Sequence, residues 1–172
     1  MGSRKLTTML AGGDRRSIGR SNEIVSMVLR RPQQLPELIG CLWSADAIVR
    51  MRAADAIEKI SLQKADLLER YKADLLELME GAQQQELRWH MALVIPRLPL
   101  TESEQKRAVA SLRAYLNDRS SIVKTCALQG LADLSRVIPA LRPPIKKLLE
   151  ESSRTGTAAM RARARKLLSK EE

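Results

Sequence analysis

The sequence predicts an all-α protein, a stack of about four helical hairpins behind an N-terminal helical cap, on three observations. First, Leu, Ala, Arg, Glu and Gln dominate, Phe is absent, and no run alternates apolar and polar residues as a half-buried strand would. Second, the chain repeats: at a step of 37 residues Leu38, Leu75, Leu112 and Leu149 fall into line, followed by Leu42, Met79 and Leu116. Third, four later segments align with one another: VRMRAADAIEKI (49–60), LRWHMALVIPRL (87–98), VKTCALQGLADL (123–134) and MRARARKLL (160–168). In these, Val49, Leu87, Val123 and Met160 lead. Ala53, Met91, Ala127 and Ala164 follow four residues on, then Ile57, Ile95, Leu131 and Leu168. Such an i, i+4, i+8 stripe occupies one face of a helix, and small residues at its centre permit close helix approach.

Each element follows from local chemistry. In the cap, residues 1–31, KLTTML forms a short helix that Gly12 and Gly13 end. Asp14 then caps a helix through Ile18, Val25, Val28 and Leu29; alternatively, Ser17 or Ser21 caps it if Gly19 breaks the run. The hairpins occupy approximately 32–63, 64–99, 100–137 and 138–172, in one continuous domain. Pro32, Pro139 and Pro143 stand where first helices begin, a position that tolerates proline. Asp46, Gly81 and Asp118 mark the turns within hairpins. Pro96 removes a backbone donor, so the second helix of the second hairpin is expected to finish near Leu98.

The bulk properties narrow the classes. A chain of 172 residues, 44% hydrophobic and 29% charged, suits a globular fold. Cys41 and Cys126 are far apart in sequence and belong to no Cys/His cluster, so neither a disulfide framework nor a metal site is expected, and a reducing, cytoplasmic setting fits. Neither a membrane-spanning run nor the apolar stretch of a leader is seen, and no membrane partner is expected. The net charge of +10 is concentrated at the ends: residues 1–31 and 142–172 each carry an excess of five positive charges, whereas 32–141 hold fourteen of each sign. A uniformly positive groove along the whole length is therefore not expected.

LPELIGCLWSADAIVRMRAADAIEKI and LRAYLNDRSSIVKTCALQGLADL resemble HEAT repeats: an apolar first helix, a turn with Asp, then a Val-basic pair followed by small and aliphatic residues. The resemblance covers residues 32 to about 170, with SSRTGTAAM replacing the Asp turn in the fourth unit. It implies a right-handed alpha-alpha superhelix, an armadillo-like solenoid with second helices lining its concave side. It also implies that Arg50 pairs with Asp46, or Lys124 with Asp118, knitting adjacent units. A scaffold is the function such a fold implies, without a ligand.

The candidate binding residues are cationic or aromatic. Arg50, Arg88, Lys124 and Arg161 recur directly after the leading apolar residue of each second helix, as pairing partners or as a ladder for an extended acidic partner. Trp89 and His90, near Arg88 and Arg52, form a second candidate cluster. Arg161, Arg163 and Arg165 make the last helix either a solvated cap or a phosphate-contacting surface. Arg15, Arg16 and Arg20 border a helix start, where backbone N–H groups favour an anion. None of HExxH, GxSxG, GxxxxGK[ST] or GxGxxG occurs, and a single histidine makes no cluster. No cofactor and no catalysis are expected. The expected function is a non-enzymatic scaffold that binds a protein along its second helices. The alternative is a nucleic-acid-binding module using both basic ends, related to the helical-repeat glycosylases of alkylation repair.

Overall fold

The computed structural model describes residues 5–170, and these contain α-helices, short 3₁₀ segments and turns, with no strand. The chain divides into two units, Met1–Ala73 and Asp74–Glu172.

The first unit holds α1 (Lys5–Leu10), α2 (Ser21–Arg30), α3 (Leu35–Gly40) and α4 (Ala47–Lys64). Pro32 opens a 3₁₀ turn ahead of α3, and Asp46 starts α4 by accepting the Ile48 N–H at 2.8 Å. Helix α1 packs beside α3, where the Leu6 N–H donates to Glu37 Oε1 at 2.8 Å, while α2 packs beside α4. Gly12 and Gly13 end α1 as expected. The next helix begins later than the Asp14 expectation places it. Gly19 adopts φ +54°, which stops the run, and α2 starts at Ser21 with no side-chain cap. Asp14 Oδ1 instead accepts the Arg16 N–H, Ser17 Oγ accepts the Gly19 N–H, and Ile18 is left exposed in the loop.

In the second unit, α5 (Lys72–Gly81, starting at the boundary) is followed by α6 (Gln85–Val94), α7 (Glu102–Tyr115), α8 (Ser121–Val137), α9 (Arg142–Thr155) and α10 (Ala158–Leu168). Pro96 converts the end of α6 into a 3₁₀ turn that stops at Leu98. Thr101 and Glu104 form a capping box on α7, Ser120 caps α8, and Thr157 caps α10 in the hairpin that lacks the aspartate. Neighbouring α7 and α8 pack together, as do α9 and α10, and α8 also packs against α6 and α10. The Tyr115 hydroxyl donates to the Met79 carbonyl and Arg107 makes a two-point pair with Glu80 at 2.7 and 2.8 Å, which ties α7 to α5.

The 37-residue period is a period of burial. Leu38, Leu75, Leu112 and Leu149 are all fully buried, each contributing roughly 2 kcal/mol. The second-helix stripe is buried in α4, α6 and α8, but Met160 and Leu168 of α10 are only half-buried. Helices α6 and α8 also approach closely at Gly130 of α8. A Cβ there would collide with the Ala92 carbonyl of α6 and meet Leu112 Cδ2 at 3.0 Å.

Candidate functional site

The arginine after the leading apolar residue has a structural use on α4, α6 and α10. Arg50 Nη1 donates to the carbonyls of Ser44 and Ala45 at 2.7 and 3.0 Å, Arg88 Nη1 to Gln83 O at 2.6 Å, and Arg161 Nη1 to Gly156 O at 2.8 Å. Each guanidinium thus reaches back to the turn of its own hairpin and satisfies carbonyls that no helix uses. One of the expected aspartate pairings, that of Lys124 with Asp118, is corrected. Asp46 caps α4, and the partner of Asp118 is Arg88 of the preceding hairpin, with Nε 2.7 Å from Oδ2, rather than Lys124. That contact is an ion pair by distance whose N–H is not aimed at the oxygen. A lysine would offer no planar fork to serve a turn and a carboxylate together, and Lys124 is half-buried.

Arg52 is 3% exposed and is not available to a partner. Its guanidinium donates to Leu10 O (2.7 Å), Gly12 O (2.6 Å), Ser17 O (3.0 Å), Asp14 O (3.2 Å) and, weakly, Ala11 O (3.4 Å). Residues 10–17 wrap around this one cation, and the carbonyls ending α1 compensate its charge. The glycines make the wrap possible. Gly13 and Gly19 have positive φ, and a Cβ would come within 3.2 Å of Arg52 Nη2 at the first and 2.8 Å of Cζ at the second.

The remaining N-terminal candidates do not converge. Arg20 makes a two-point pair with Glu23 at 2.8 Å, fully exposed, whereas Arg15 and Arg16 project into solvent. Trp89 and His90 are tilted neighbours, 5.6 Å between ring centroids, but His90 is 7% exposed and Trp89 half-buried. Burial raises the Tyr115 phenol well above its ordinary pKa and the Cys41 thiol above its own, which disfavours the ionised form of each. Among the described residues no group of three or more His, Cys, Asp or Glu side chains could hold a metal, and no helix is long and apolar enough to cross a membrane.

A different surface emerges from the second helices. Residues at i, i+4, i+7 and i+11 share a face: Ile48, Arg52, Asp55 and Lys59 on α4; Ile122, Cys126, Gln129 and Asp133 on α8; Ala159, Arg163 and Lys166 on α10, with Lys170 in the turn that follows it. On α4 this face is occupied by the chain itself, since Arg52 binds residues 10–17, Asp55 accepts from the Ser21 hydroxyl, and Lys59 Nζ donates to Asn22 Oδ1 at 2.7 Å. On α8 and α10 every member of the face is exposed or half-buried, and Arg163 Nη1 bridges to Gln129 Oε1 at 2.8 Å. Arg165 lies to the side of this face, 3.4 Å from Ser153 O.

Where α8 ends, this face runs into two hollows. One, of about 570 Å³, is lined by Ser135, Arg136, Arg142, Pro143, Lys146 and Lys170. The other, of about 400 Å³, is mixed in character: Pro96, Leu98, Pro99, Leu100, Leu134 and Val137 line it together with Arg97 and Gln105. Sequence reading missed both because their residues come from several helices; the one available signal was the excess charge after residue 141. No protein-family model matches the chain, and no curated protein matches it in sequence.

Proposed function

We propose that the protein is a non-enzymatic, HEAT-like helical-repeat scaffold that binds a protein partner along the second helices of residues 74–170. One observation carries this reading: the face that on α4 holds the chain's own residues 10–22 stands open on α8 and α10. The α4 face accepts backbone carbonyls and short polar side chains, which any extended peptide offers. Support for the repeat comes from side-by-side packing of like helices, α2 with α4 and α6 with α8 with α10, over a buried 37-residue period. Buried His90 and the structural use of Arg50, Arg52 and Arg88 favour a binding surface over a reaction centre.

A photo-crosslinking residue placed at Ile122 or Gln129, and for comparison at Ala110 or Glu150 on the exposed first-helix side, tests this in extracts of the source cells. Discrete protein adducts from the first pair and none from the second are expected. Equal capture at both pairs, or adducts destroyed by nuclease, would overturn it.

A further inference from the structure

We infer that the two hollows at the C-terminal end of α8 form one anchoring site for an extended peptide, seating its apolar side chain beside Val137 and its adjoining acidic residues among Arg136, Arg142, Lys146 and Lys170. The inference rests on the proposed scaffold reading and deepens it by naming the partner's chemistry. Four cations and no carboxylate line the larger hollow. Two are held in place: Arg142 donates to Ser135 O and Arg136 O at 3.3 Å, and Arg136 Nη1 sits 3.2 Å from Asp133 Oδ1. Lys146 and Lys170 are exposed and make no side-chain hydrogen bond or ion pair with any described residue. Charge complementarity therefore calls for an anionic occupant.

The neighbouring hollow decides which anion. Val137 is 66% exposed, and its hollow continues over Leu98, Leu100, Pro96 and Pro99. Arg97 and Gln105 also line it, but a phosphodiester backbone has no group to cover Val137, Leu98 and the two prolines, and neither hollow contains an aromatic side chain on which a base would stack. A peptide with an apolar residue next to a glutamate or aspartate run satisfies both hollows in one crossing of the helix end. Arg136 on α8 and Lys170 in the turn after α10 also make the site continuous with the open face.

The test is fluorescence anisotropy of a labelled peptide of two leucines followed by a run of glutamates, with an all-glutamate peptide and oligothymidylate as comparators. The leucine-containing peptide is expected to bind best. Lys146→Glu with Lys170→Glu weakens it by about tenfold or more, since two exposed charge pairs become repulsive. Val137→Ser, which removes apolar surface without adding charge, weakens the leucine-containing peptide and leaves the all-glutamate peptide unchanged. Far-ultraviolet circular dichroism confirms that the variants retain their helices. Binding insensitive to the double lysine variant overturns the site, as does oligothymidylate binding more tightly than either peptide, or no binding by the wild type. Loss of peptide binding in Ile122→Asp with retention in the lysine variant leaves the open face standing and removes only the anchor. The crosslinking experiment judges that face independently.

Discussion

Arg52 of α4 and Arg163 of α10 occupy the same position of their second helices, three residues after the leading apolar one, yet their surroundings are opposite. Arg52 is buried under residues 10–17 and gives its hydrogen bonds to backbone carbonyls; Arg163 is half-buried and bridges to one side chain on the neighbouring helix. One arginine closes a surface and the other borders one left open. The difference teaches that a repeat position specifies where a side chain points, while the next segment along decides whether it becomes core or interface. Near the N-terminus that segment is glycine-rich and wraps around Arg52.

Removing the clasp gives the largest expected effect. Arg52→Leu keeps side-chain bulk but leaves several carbonyls without donors, so chemical denaturation should show a loss of about 3 kcal/mol. Amide exchange should quicken across residues 5–20 and not in α8 or α10. An unchanged midpoint would break the contrast between the two arginines. Gly19→Ala strikes the same clasp from the other side, through an unfavourable φ and a Cβ 2.8 Å from Arg52 Cζ; about 1–2 kcal/mol is expected from the same measurement.

Tyr115 sharpens the comparison from within the second unit, where the interior is closed although the outer face is open. Tyr115→Phe removes the donor to the Met79 carbonyl and should cost about 1 kcal/mol near neutrality. Burial raises the phenol's pKa, so the folded state keeps a proton that the unfolded state releases above about pH 10. Its contribution is full below that pH and is lost as pH rises beyond it. The wild type should therefore lose thermal stability more steeply between neutral and strongly alkaline pH than Tyr115→Phe does. Arg163→Ala should have the smallest effect, under about 0.5 kcal/mol in denaturation, because its bridge to Gln129 lies at a half-open surface. A loss comparable to that of Arg52→Leu would mean that α10 is also clasped.

Much of the helical plan is legible in the residues alone. The buried leucines at a step of 37, the stripe led by Val49, Leu87 and Val123, the stop after Pro96 and the glycine end of α1 all follow from periodicity and local backbone chemistry. Such signals act within one helix or turn, where sequence spacing and spatial spacing are the same thing. The candidate site was legible only as an excess of cations. Arg52 joins residues some forty positions away, Asp118 pairs with Arg88 thirty residues earlier instead of the nearer Lys124, and Gly130 lets α8 approach the Ala92 carbonyl of α6. Likewise, Arg136, Arg142, Lys146 and Lys170 share a hollow across three helices. The sequence by itself determined which residues would be helical and which face of each helix would be buried, because both depend on a 3.6-residue repeat. Only the tertiary structure decided which cations became struts and which surround an open surface, because that depends on which helices and loops meet.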